Sequence, residues 1–188
     1  MSLSEEDRAT LHKVARASIQ YTLKQGRKAR YETTLELSDY PQPLQQMRAT
    51  FVTLHMGNDL RGCIGTLEAR QPLVLDVAHN ARAAAFEDPR FPPLTTQEFA
   101  GIFVHISVLS VPEPISFESQ QDLLRQLRPG TDGLILTAGY RKGTFLPSVW
   151  ESLPTAEQFL AHLKQKAGLP ADYWSDAIRI ERYTTESF

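Results

Sequence analysis

The segment from Ala49 to Leu67 constrains the fold of this chain more than any other. Ala49 to Met56 alternates apolar and polar residues, Gly57-Asn58-Asp59 is turn chemistry, and alternation returns from Leu60 to Leu67. Two such runs around a turn predict an antiparallel hairpin. Side chains on a strand alternate between faces, so Val52, Leu54 and Met56 share a face with Leu60 and Ile64 only in one register. A three-residue loop supplies it by pairing 56 with 60 and 54 with 62. His55 then lies across from Arg61, and Thr53 across from Cys63.

The face opposite the apolar one therefore collects an imidazole, a guanidinium, a hydroxyl and the chain's one thiol. Gly62 and Gly65 leave no side chains beside that thiol, which admits a ligand or another backbone. A guanidinium beside a thiol favours the thiolate, the reactive form. The structural alternative is a small buried cysteine in a strand whose glycines mark a bulge or tight packing. Both readings remain open on residue physics alone.

Around this hairpin the periodicity predicts further elements. A helix runs from about Ser4 to Gln25, with Leu11, Val14, Ala15, Ser18, Ile19, Thr22 and Leu23 as its inward stripe and Gly26 as its stop. Residues 32–48, with Pro41 and Pro43, form an irregular connection containing a short strand over Thr33 to Leu37. A helix over 72–87 starts at Pro72 and presents a small-residue face, and Asp88-Pro89-Arg90-Phe91-Pro92-Pro93 ends it. Gly101 to Ser110 alternates as a strand. A short helix over 119–127, a hairpin around Gly139-Tyr140, a helix from Thr155 to about Ala167 and a strand over 177–183 follow. Helices and strands in this irregular order indicate α+β rather than repeated parallel units.

At 188 residues the chain fits one domain, 1–188, with a smaller lobe within about 112–150. Its 41% apolar and 22% charged residues are ordinary globular values. Twenty basic against 22 acidic residues give a net charge of −2, so no global attraction draws nucleic acid or anionic lipid. The local exception, Lys24, Arg27, Lys28 and Arg30, reads first as cations offsetting a helix C-terminus. A polar, acidic start and a single cysteine lead us to expect a cytoplasmic protein without disulfides.

No metal or nucleotide motif is present, and we expect neither metal nor cofactor. His79 and Asp76 stand at helical spacing, but a third ligand is not identified. His105 reads as a partly buried, hydrogen-bonded side chain, and His12 and His162 as solvated helix residues. Asp88 and Arg90 occupy a rigid, proline-flanked corner. Asp88 bonds nearby amides and Arg90 pairs with a carboxylate in the structural reading; Arg90 clamps an anionic group in the functional one.

LRGCIGTLEARQPL, then EDPRFPPL, ISVLS, FLP and a closing RYTTESF resemble the AMMECR-type domain family, whose bacterial and archaeal members are called AmmeMemoRadiSam system protein A. The resemblance implies a curved, mostly antiparallel sheet with flanking helices and a larger and a smaller lobe around a cleft. It places Arg61, Gly62, Cys63, Gly65, Asp88, Arg90, Phe91 and Pro92 near the family's functional surface. It also implies two partners, a Memo-type protein and a radical-SAM protein, and it supplies no established reaction. Two readings follow. In one the chain is an enzyme or enzyme-associated subunit with Cys63 as nucleophile, Arg61 steadying its thiolate, and Gly62, Gly65, Asp88, Arg90, Phe91 and His55 forming the binding surface. In the other it is a non-catalytic protein- or ligand-binding module in which Cys63 is packing.

Overall fold

A computed structural model describes residues 2–188. They form two compact units, one running to Leu109 and taking back Glu186–Phe188, the other Ser110–Thr185. Each is helices on an antiparallel sheet, so the fold is α+β.

The first unit opens with α1 (Glu5–Gln25). Ser4 caps it, accepting from the Asp7 amide while the Asp7 carboxylate accepts from the Ser4 amide, and Gly26, at φ 96°, ends it. Its predicted stripe from Leu11 to Thr22 is buried. No strand forms over Thr33 to Leu37. Tight turns at Tyr31–Thr34 and Leu37–Asp39 lead instead into a single helical turn, α2 (Gln42–Gln45). The cause is local, because the Thr33 and Thr34 hydroxyls donate back to the Arg30 and Tyr31 carbonyls and hold the chain in turns.

The hairpin is β1 (Thr50–Met56) and β2 (Asp59–Gly65), followed by α3 (Leu73–Phe86), the short α4 (Thr96–Phe99) and β3 (Ile102–Leu109). With β8 (Thr185–Ser187) the strands stand in the order β2-β1-β3-β8. Val52, Leu54, Ile102, Ile106 and Val108 face α1 and α3, forming one core with Leu11, Ile19, Val74, Val77 and Ala81. Small side chains along α3 let it lie close to β1 and β2, and it is buried almost all round.

The second unit holds β4 (Glu113–Pro114), α5 (Gln120–Gln126), β5 (Gly133–Ala138), β6 (Arg141–Phe145), α6 (Ala156–Lys166) and β7 (Ile178–Tyr183), with strand order β4-β7-β5-β6. Leu134, Leu136, Ile178 and Ile180 meet Phe159, Leu160 and Leu163 of α6, and Trp150 stacks on Phe159 at 3.8 Å. Among the described residues no helix is long and apolar enough to cross a membrane.

Candidate functional site

The hairpin register differs from expectation at its turn end. Thr53 pairs with Cys63 and Leu54 with Gly62, as predicted, but His55 pairs with Leu60 and Met56 with Asp59. The turn is two residues, Gly57-Asn58, with φ 59° at Gly57 in the pattern of a type II′ turn. A two-residue turn alone would send Arg61 to the core face. The register shift between Leu54 and His55 leaves Arg61 unpaired as a β-bulge and restores the parity beyond it. Leu60 is consequently 38% exposed, while Arg61 is only 8% exposed. His55 therefore does not face Arg61.

Bulging turns Arg61 sideways into the segment after α3. Its Nε donates to Glu98 Oε1 (2.8 Å), and its Nη2 donates to Glu98 Oε2 (3.2 Å) and the Pro92 carbonyl (2.9 Å). Glu98 also closes a capping box with Thr95 at the start of α4. Arg61, foremost, holds the Glu98 carboxyl down at about 2. None of the Arg61 hydrogen bonds reaches Cys63, so the expected thiolate partner is a bracket between strand and corner.

The glycines have structural occupants. A side chain at Gly62 would put its Cβ 2.1 Å from the Ala84 carbonyl oxygen of α3, and one at Gly65 would fall 2.3 Å from the Phe51 ring. Both sites are filled by the protein itself.

Asp88 is the centre of the arrangement. β2 is an edge strand, and the Cys63 amide donates outward to Asp88 Oδ2 at 2.9 Å. The same carboxylate accepts the Arg90 amide (3.0 Å), Nε (3.0 Å) and Nη2 (2.7 Å). Its side chain is 2% exposed. The Arg90 hydrogen bonds, foremost, hold its carboxyl well below the carboxylate range against the opposing effect of burial; the Cys63 and Arg90 amides add to them. The structural reading of the corner therefore holds, with Asp88 bonding two amides and Arg90 pairing with its carboxylate, while the Arg90 side chain is 55% exposed.

The hydrogen bond to Asp88 pushes Arg90 above its ordinary value against the opposing effect of burial, and Asp88 Oδ2 joins the Arg90 Nη2 to the Cys63 amide. The Phe91 ring lies 5.5 Å from the Arg90 guanidinium and 5.9 Å from that of Arg61. Cys63 is half-buried, and the Thr53 hydroxyl donates to its sulfur at 3.2 Å. Across β1, Thr53 pairs with His105, which is exposed rather than buried, and whose pKa is lowered by partial desolvation and by His55. His12 is half-buried against Phe188.

The remaining candidates lie apart from this cluster. His79 contacts Glu32 at 3.2 Å, whereas Asp76 bonds Thr50, Asn80 and Gln71, so they form no ligand pair. Among the described residues no group of three or more histidine, cysteine or acidic side chains could hold a metal. In the basic cluster, Arg27 donates to the Phe86 carbonyl at the end of α3, and Arg30 pairs with Glu87 at 3.8 Å. Glu98 was not foreseen, although the Thr-x-x-Glu spacing of Thr95 and Glu98 announces the capping box that positions it.

The AMMECR1 family model matches residues 12–188. A protein of Methanothermobacter thermautotrophicus is 38% identical over 99% of this chain and 95% of its own length. One from Thermotoga maritima is 41% identical over 85% of this chain and 88% of its own. The crystal structure of an uncharacterised protein from Pyrococcus horikoshii superposes with a TM-score of 0.83 at 34% identity, covering 98% of this chain and 92% of that one.

Proposed function

The chain belongs to the AMMECR1 family, and on that premise we propose that it is an enzyme-associated domain whose reactive group is Cys63 and whose anion receptor is Arg90. The observation that carries this reading is a half-buried thiol, held by the Thr53 hydroxyl, on a residue whose amide shares Asp88 Oδ2 with the Arg90 guanidinium. The step is a transfer or tethering. The Cys63 sulfur attacks an electrophilic carbon of a substrate whose anionic group sits on Arg90. A C–S bond forms, the bond from that carbon to the leaving group breaks, the leaving group takes the bonding pair, and the thiol proton passes to solvent. Following the family resemblance, the partners it serves are a Memo-type and a radical-SAM protein.

Acetyl phosphate tests the step, because it offers an acyl carbon and an anion together. Native protein should gain one acetyl group on Cys63 by intact mass, more slowly in Arg90→Ala and not at all in Cys63→Ser. Acetylation only after unfolding contradicts the reading.

A second reading rests on its own observation. Ala84 and Phe51 fill the glycine sites, and Arg61 and Asp88 brace the corner, so architecture alone accounts for much of the motif. The surface is then a docking face contacted through Arg90 and Phe91. Loss of co-purifying partners in Phe91→Ala, with Cys63→Ser unaffected, would favour it.

A further inference from the structure

The second unit carries a cavity of about 590 Å³ that contains none of the motif residues. Its volume lies in the range of small-molecule sites, roughly 300–1,000 Å³. Ile115, Ile178 and Ile180 are buried residues at its floor, and Phe117 and Trp174 stand beside it with ring centroids 5.5 Å apart. Glu118, Asp176 and Glu181 also line it, and among the described residues none of these three carboxylates has an ion-pair or hydrogen-bond partner. Among the described residues Arg179 is the one cation in the lining, against those three carboxylates. Arg179 donates to the Asp176 and Ile178 carbonyls, and buried Lys164, 5.5 Å from the Trp174 ring centroid, donates to Gln120.

A second concavity shares Ser116, Phe117 and Glu118 with the first and adds Asp122. Phe117 thus borders both spaces, with Asp176 and Glu181 in the larger, Asp122 in the other and Glu118 lining both. Two acidic positions joined across an aromatic surface match two ammonium groups joined by an aliphatic chain. The methylenes cover the rings, and the charges meet carboxylates and aromatic faces.

We propose that this cavity binds a small aliphatic di- or polyamine. The site is independent of Cys63 and of the reaction assigned to it.

Spermidine is the probe, followed by calorimetry and by tryptophan fluorescence. Trp150 is buried against Phe159, so the response reports Trp174. Saturable binding is expected, about tenfold weaker in the double variant Asp176→Asn/Glu181→Gln and weakening with salt. Butylamine, with one ammonium, should bind at least about tenfold more weakly than spermidine. Trp174→Leu should lose the fluorescence response and part of the affinity, while circular dichroism confirms that each variant is folded. No saturable signal with spermidine, equal affinity in the double variant, or equal affinity for butylamine overturns the proposal.

Discussion

Replacing Asp88 with asparagine changes one atom and removes the centre of the site. The carboxylate accepts four hydrogen bonds, two on each oxygen, from the Cys63 amide and three Arg90 nitrogens. An asparagine keeps one acceptor oxygen and turns an NH2 group toward two donors. At least two of the four bonds are lost, and one buried N–H faces another. Hydrogen bonds to charged groups are worth about 1.5–3 kcal/mol each, and an orphaned buried donor costs about 1–3 kcal/mol. Because Arg90 is more than half exposed, water takes over part of its share, which leaves an expected loss of about 2–4 kcal/mol at neutral pH.

The pH dependence has a definite sign. The folded Asp88 pKa lies well below its ordinary 3.8, so its contribution is complete above that value and disappears as pH falls toward the folded pKa. The gap between wild type and Asp88→Asn should therefore narrow only below about pH 4. Urea unfolding of both proteins from neutral pH to pH 3 measures it, with exchange of the Cys63 amide as the local readout. A neutral-pH difference below about 0.5 kcal/mol, or a Cys63 amide equally protected in both, would refute the edge-capping role.

Three further outcomes follow from the same geometry. Gly62→Ala drives a Cβ into the Ala84 carbonyl, where no side chain can yield, and should cost about 1–3 kcal/mol or more; a wild-type melting temperature would contradict that. Glu98→Gln leaves the buried Arg61 guanidinium without its carboxylate and should cost about 1–3 kcal/mol by urea unfolding. That loss shrinks as pH falls from the ordinary 4.5 of a glutamate toward the folded value of about 2, and a pH-independent loss over this window would contradict the ion pair. Tyr183, its ring over Gly133 and its hydroxyl donating to the Phe145 carbonyl, is pushed up to about 12 by burial. Its contribution is complete below pH 10 and is lost as pH rises through 12, so ultraviolet titration should show one tyrosine ionising late, an event absent in Tyr183→Phe.

Much of the fold was legible because the decisive signals are local. The stripe of α1, the small face of α3, the Gly139-Tyr140 hairpin and the inward Ile178 and Ile180 all follow from period and turn chemistry. The hairpin shows where this stops. Apolar parity correctly placed Ile64 inward and Cys63 opposite Thr53, but it assumed an unbroken strand. A bulge is stabilised by what its extra residue reaches, here Glu98 and Pro92 more than thirty residues away, and alternation carries no trace of that. For the same reason the guanidinium that shares a carboxylate with the Cys63 amide is that of Arg90, remote in sequence, rather than that of neighbouring Arg61. The residues that meet at the corner, His55 excepted, could be named from the sequence, while their contacts depended on the tertiary structure.

The central claim is that Cys63 is reactive in the folded protein and that Arg90 draws anions to it. Alkylation rates of native protein with anionic iodoacetate and neutral iodoacetamide, in wild type and Arg90→Ala, test it most directly. The account predicts that both reagents modify native Cys63, and that loss of Arg90 slows iodoacetate about three- to tenfold while leaving iodoacetamide nearly unchanged. A thiol inert until unfolding, or an iodoacetate-to-iodoacetamide ratio unchanged by Arg90→Ala, would contradict it.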